Sequence, residues 1–336
     1  MNTKSNIRFI ALTCALTLLA TPASSITIYD NNISALNINA LTDVFMSYVN
    51  YGDNMFDLFE EPVVYGKMRR VDEYGDDGST LPAVYSSNPI SSALDNVWIN
   101  ANHFNADMHY GKNITEHARF NLATVGLATK NMELRHGAIS FGGFISYINS
   151  KLPEIKSNGY TVGLFSHYKY NIFGAHALID LGSLDNKDSG LKYDNSWFNI
   201  ATDIYTNLKI DETFYVKPSV YLGYALVLSD TIYVNGDKVT SSDYNFFNIA
   251  PGISFIKEIV PNWYGALSGK YVTHFGGKNN IHVNGTSQDE VYLDSHTDIG
   301  IDIEYRFKQF VFGGKVHALI GDIDGWNSNL NIKYVF

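Results

Sequence analysis

Between residues 298 and 306 the chain alternates without a break. Asp298, Asp302, Glu304 and Arg306 occupy one face, with Gly300 among them, and Ile299, Ile301, Ile303 and Tyr305 occupy the other. A period of two is the signature of a β-strand, whose side chains point to opposite faces in turn. Four ionisable groups on one face cannot fill a dry core, because burying each charge without a partner costs far more than a fold's net stability. That face must therefore meet water or other charges while its reverse meets something apolar. The next runs repeat the pattern. Phe310, Phe312, Val316, Ala318 and Ile320 oppose Lys315 and His317, and Trp326, Leu330, Ile332, Tyr334 and Phe336 oppose Asn327, Asn329, Asn331 and Lys333. Similar runs fall near 97–104, 116–129, 136–149, 158–170, 172–183, 194–208, 213–228, 243–257 and 263–275, giving twelve in all.

Runs this long, apolar on one side and polar on the other, suit strands that cross a bilayer at a tilt, which takes about ten residues each. The connections alternate in length. Short links at 170–171, 209–212, 258–262 and 307–308 face long polar ones at 184–193, 229–242 and 276–288, as the turns and loops of an outer-membrane barrel do. The expected fold is all-β: a twelve-stranded antiparallel transmembrane β-barrel over 97–336, preceded by a short N-terminal helix and linker. Its lumen is expected to be lined by Lys217, Lys270, Asp298, Asp302, Glu304, Arg306, Lys315 and Lys333. Tyr334, Phe336, Tyr305, Phe307, Trp263 and Tyr264 are expected to form an aromatic girdle at the short-turn end. Pro218 and Pro251 interrupt runs, and each predicts a bulge or a strand end. Composition agrees, with charged residues at only 17% and aromatics at 14%. A net charge of −10 argues against a nucleic-acid partner.

The N-terminus reads as an export signal over 1–25. Lys4 and Arg8 precede an apolar run from Phe9 to Ala20, followed by small residues. The single cysteine, Cys14, lies inside that run and leaves with it. Residues 26–96 carry eleven acidic and three basic side chains. Within them Leu41, Val44, Phe45 and Tyr48 recur at helical spacing, predicting a helix over about 39–60 with Pro62 just beyond; residues 62–96 read as linker. The helix carries Asp43 and Asp57, with Glu60 and Glu61 at its end, and could match the lumen cations as a plug, or pack at the barrel mouth.

Signal peptide, helix, linker and a twelve-stranded barrel ending in Phe336 together resemble the autotransporter β-domain of type V secretion. The specific points are the opening Val97-Trp98 strand, the glycine-rich Phe141-Gly-Gly-Phe144 and Asn158-Gly-Tyr160-Thr-Val-Gly163 stretches, and the terminal aromatic. Leu330, Ile332, Tyr334 and Phe336 resemble the C-terminal signal read by the outer-membrane assembly machinery. The resemblance implies a bacterial outer-membrane location, partners in outer-membrane lipid and that machinery, and translocation or display of the N-terminal segment. It covers 97–336 well and 39–60 loosely. No Asn-Asn pair lies within the helix; Asn31-Asn32 lies upstream.

Chemistry is sparse. His167, His176, His274 and His317 fall on lumen faces with Asp180 and Asp203, and sequence places none of them beside a serine. No HExxH, GxSxG or phosphate-loop motif occurs, and Asp322-Ile-Asp324-Gly325 reads as a turn rather than a calcium loop. No catalytic residue, metal or cofactor is expected. A passive porin-like channel, a surface adhesin binding a ligand through its loops, and an outer-membrane hydrolase stand as the alternatives to an autotransporter-type barrel.

Overall fold

The computed structural model describes residues 93–336, apart from 111–113, 153–154, 189–190, 230, 235–236, 242–243, 277–280, 284–285 and 288–294. The export signal and the helix expected at about 39–60 lie outside the described residues. Twelve long strands are found among those described: β1 (Leu94–Tyr110), β2 (Ile114–Thr129), β3 (Ala138–Lys151), β4 (Lys156–Tyr170), β5 (Phe173–Asp188), β6 (Leu191–Thr206), β7 (Phe214–Ser229), β8 (Tyr244–Val260), β9 (Trp263–Gly276), β10 (Ser295–Phe307), β11 (Phe310–Gly321) and β12 (Ile323–Val335). Each pairs antiparallel with its sequence neighbour. β1 pairs with β12 from Asn96↔Val335 to Met108↔Ile323, so the sheet closes and leaves no long edge. The barrel opens at Leu94 rather than Val97. The backbone N–H of Phe336 donates to the carbonyl of Asp95 at 2.8 Å, which puts both barrel termini at the same end.

That end carries two-residue turns at 171–172, 261–262 and 308–309. Asn171, Asn262 and Lys308 take positive φ there (56°, 70° and 54°), a conformation asparagine tolerates better than lysine. The opposite end carries the long connections 230–243 and 277–294. Their short strands Ile232–Val234, Asp237–Ser241, Ile281–Val283 and Thr286–Ser287 pair into one small sheet, joined across the loops by Val239↔Val283. The long loop expected at 184–193 is absent. β5 and β6 stay paired out to Asp188↔Leu191, and the polar residues there mark strand that continues past the apolar band. The connection at 130–137, on the short-turn end, is conversely longer than a hairpin turn and pairs Met132–Glu133 back onto β3. The length asymmetry therefore rests on two loops.

The alternation expected from sequence holds around the barrel. Ile145, Leu164, Ile301 and Leu330 face outward at 58, 67, 59 and 70% exposure. An apolar exterior on a closed sheet belongs in a bilayer, where every backbone hydrogen bond must be satisfied internally. Pro251 causes no bulge: the β8–β9 register is unchanged from Ile249↔Thr273 to Gly252↔Lys270. Pro218 lies where the β7 ladder to the preceding strand lapses, between Tyr205↔Ser219 and Leu208↔Val216, as the missing N–H requires.

Inside, large aromatic rings of β1–β6 lie over glycines on adjacent strands. Trp98 is paired with Gly126, Phe165 with Gly142, and Trp197 with Gly182. A Cβ added at Gly182 would lie 2.0 Å from the Trp197 ring, and one at Gly126 2.1 Å from Trp98. Only glycine lets these rings lie flat on the wall, an arrangement that also pins register.

Candidate functional site in the lumen

The residues expected to line the lumen are buried or half-buried. Asp298, Asp302, Glu304 and Lys333 are buried, and Lys217, Lys270, Arg306 and Lys315 are half-buried. The register places them in two groups. Near the short-turn end, Arg306 Nε donates to Glu304 Oε1 at 2.7 Å, and its guanidinium lies 4.8 Å from the Tyr264 ring centroid. Tyr264 is thus a lumen residue, not part of the girdle. Lys217 Nζ sits 3.9 Å over the Tyr205 ring.

The second group is centred on His317. Register pairs Gly300 with His317 and Asp302 with Lys315, so the imidazole lies over a glycine between Asp298 and Asp302. Its Nδ1 is 2.5 Å from Asp298 Oδ1 and its Nε2 is 2.8 Å from Asp302 Oδ1. Ionised carboxylates only accept, so the ring satisfies both partners when both its nitrogens carry protons. Lys270 Nζ lies 3.5 Å from Asp298 Oδ2, on the neighbouring strand. The group borders a cavity of about 160 Å³, also lined by Asn102, Asp203, Lys315 and Asn329.

One serine does reach this histidine, which sequence could not foresee because β9 and β11 are joined only through β10. Ser268 Oγ is 3.4 Å from His317 Nε2 but donates to Asp302 Oδ2 at 2.8 Å. A nucleophile needs a base free to take its proton. Here His317 Nε2 faces a carboxylate, and the serine hydroxyl is spent on that same carboxylate.

The other histidines expected in the lumen, His167, His176 and His274, each lie against another histidine. His167 and His176 face each other across β4–β5 with ring centroids 4.2 Å apart, and His167 Nε2 lies 2.7 Å from Tyr205 Oη. His274 Nδ1 lies 2.7 Å from Asn248 Oδ1, and its ring stacks on His296 at 5.6 Å. Asp180 accepts from Trp197 Nε1 at 2.9 Å and Asn199 Nδ2 at 2.7 Å. Among the described residues no group of three or more His, Cys, Asp or Glu side chains is arranged to hold a metal ion.

The residues resembling an assembly signal lie on the outer face. Leu330, Ile332 and Phe336 are exposed and Tyr334 is half-exposed. Tyr334 packs edge-on against Phe336 at 5.3 Å and Phe310 at 5.2 Å, and Trp263 stacks on Tyr305 at 4.5 Å. The short-turn end thus carries an aromatic belt of the kind that seats barrels at a membrane surface.

No protein-family model matches this sequence, and no curated protein matches it. Solved structures do resemble it. The transport unit of the autotransporter AIDA-I from Escherichia coli superimposes with a TM-score of 0.60 at 14% identity, covering 76% of this chain and 93% of that one. The β-domain of the Bordetella autotransporter BrkA gives 0.58 at 11% identity, over 73% and 100%. The translocator domain of NalP from Neisseria meningitidis gives 0.55 at 12%, over 75% and 90%. The chain has the fold of a bacterial outer-membrane barrel of the autotransporter translocator kind.

Proposed function

We propose that this protein is an autotransporter-type outer-membrane barrel that carries its own N-terminal segment, residues 26–92, across the membrane or displays it at the surface. The observation that carries the reading is the closed twelve-stranded barrel whose polar-lined first strand continues directly from that segment. Leu94 begins β1 at the short-turn end, the periplasmic end of such barrels, so the segment starts from the side on which an exported chain arrives. A lumen carrying Asp298, Asp302, Glu304, Arg306 and His317 gives a polypeptide a polar wall to pass. The role requires no catalytic residue. Leu330, Ile332, Tyr334 and Phe336 serve assembly, presenting alternate outward side chains at the chain end to the assembly machinery.

The test is an epitope placed between residues 26 and 60 of the full chain, with protease added to intact cells. Loss of the epitope while the barrel remains supports translocation. An epitope cut only after lysis, with the barrel at normal surface levels, rejects it and leaves a barrel acting through the 230–243 and 277–294 loops.

A further inference from the structure

The seam where the barrel closes is lined with asparagine. On the inner face β1 contributes Asn96, Asn100 and Asn102, and β12 contributes Asn327, Asn329 and Asn331. Register sets Asn100 opposite Asn331 and Asn102 opposite Asn329. Asn100, Asn102 and Asn329 are buried, at 1, 4 and 4% exposure. Neither the amide nitrogen nor the oxygen of any of these three finds a hydrogen-bond partner among the described residues. Among the described residues Asn331 makes a long contact, Nδ2 to the Ile99 carbonyl at 3.4 Å. Asn102 and Asn329 line the cavity beside His317. Buried amides are ordinarily satisfied, so a row of unmade ones marks the place of a polar partner.

We infer that this ladder is a track for the backbone of an extended polypeptide in the lumen. The inference rests on the translocation reading and names the wall that the moving chain touches. A carboxamide presents one donating and one accepting end, as a peptide group does. Residues two apart on a strand lie about 6.8 Å apart, the spacing at which an extended chain repeats its own N–H and C=O on one edge. Asn327 and Asn329, two apart on β12, line the cavity beside His317 with Asn102 opposite Asn329, and their side chains therefore meet successive backbone groups of a parallel or antiparallel guest there. Contacts to backbone are indifferent to the guest's sequence. Uncharged amides also hold no single side-chain type, which suits a segment that must slide. The seam is also the wall nearest the guest's tether, since β1 itself continues from residues 26–92.

Two measurements on the full-length protein test this. In the first, Asn100→Leu, Asn102→Leu and Asn329→Leu are combined, keeping the branched side-chain shape while removing the amides. Pulse–chase then follows protease accessibility of the epitope between residues 26 and 60. Exposure is expected to slow by at least about tenfold, as loss of several hydrogen bonds implies, with heat-modifiable migration of the barrel unchanged. Asn→Gln at the same three positions is expected to restore part of the rate. Equal exposure rates in the unaltered and Leu-substituted chains overturn the track. In the second, a photo-crosslinking residue replaces Asn102 in intact cells, with Ile301, on the lipid face, as control. An adduct to residues 26–92 at position 102 alone supports the track. Absence of an adduct, or an adduct to an oligosaccharide, overturns it. This second arm also decides the matter should the triple variant fail to assemble. An epitope that never reaches the surface in the unaltered chain defeats the translocation reading, while the adduct at position 102 still reports on the ladder.

Discussion

The two halves of the inner wall solve the same problem with different chemistry. From β1 to β6 the wall carries large rings lying on glycine: Trp98 over Gly126, Phe144 over Gly163, Phe165 over Gly142 and Trp197 over Gly182. From β7 to β12 it carries the clustered ionisable groups, with Lys270, Asp298, Asp302, Glu304, Arg306 and His317 tied into local pairs. The outer face shows no such division, since Ile145 on β3 and Ile301 on β10 are both exposed apolar residues. The bilayer imposes one rule on the exterior everywhere. The interior is free to differ, and it places fixed, rigid packing on one side and water-compatible charge on the other.

The sharpest way to break this comparison is at the centre of the charged half. His317→Leu leaves Asp298 and Asp302 facing each other with no imidazole between their Oδ1 atoms. Removing one partner of a buried ionic group typically costs about 3–5 kcal/mol. Urea unfolding of the barrel in vesicles should register a loss of that order. Unchanged stability would mean that lumen water screens the pair and that this half is no more constrained than an open channel wall.

The outer face comes next. Ile301→Lys and Ile145→Lys each place a charge on the lipid side of a central strand position, and each should cost about 2–4 kcal/mol near the bilayer midplane. The two costs should agree, because the exterior does not share the interior's asymmetry. Clearly unequal values in the same vesicle assay would extend the difference between halves to the lipid face.

A smaller effect separates the glycines. Gly182→Ala sets a Cβ 2.0 Å from the Trp197 ring, whereas at Gly314 the nearest atom is 3.7 Å away. Overpacking of the first kind costs about 1–3 kcal/mol, and Gly314→Ala should be close to silent. If both are silent, Trp197 has room to swing away and the ring-on-glycine wall is not rigid.

Much of this was legible in the chain, and the reasons divide along physical lines. Strand existence, the inward set from Lys217 to Lys333, and the outward set around Ile301 follow from period two alone, because parity fixes the face once one strand is oriented. Cross-strand relations were not legible. Gly182 and Trp197 are neighbours only through the β5–β6 register, Ser268 reaches His317 only across an intervening strand, and the asparagines of β1 and β12 meet only because the sheet closes. The run at 184–193 misled for a related reason. Polar residues signal contact with water, and a strand rising above the bilayer meets water while still fully paired. Tyr264 reads as a girdle residue beside Trp263, yet adjacent strand residues face opposite ways, so the alternation itself places only Trp263 outside.

The smallest expected effect lies where the two halves join, in the 207–213 turn between β6 and β7. Asp211 is fully exposed there, and its Oδ1 accepts from the Thr213 N–H at 2.7 Å, the Phe214 N–H at 2.8 Å and the Thr213 hydroxyl at 3.1 Å. The Thr213 N–H above all, with the Thr213 hydroxyl, the Phe214 N–H and Lys257 adding to it, holds the Asp211 carboxyl below its ordinary value. A carboxyl whose folded pKa lies below its unfolded one stabilises the fold above the unfolded value, and that contribution is lost as pH falls through the folded one. The turn should therefore be fully braced at neutral pH and loosen only below the usual carboxylate range. Amide exchange at Thr213 and Phe214 reads this directly. Protection in the unaltered chain should fall in that acid window, while Asp211→Ala should show low protection at neutral pH and no further loss there. Because the group is exposed and screened by solvent, unfolding of the whole barrel should shift little. A large global shift would mean that this turn, and not the closed sheet on either side of it, holds the two halves in register.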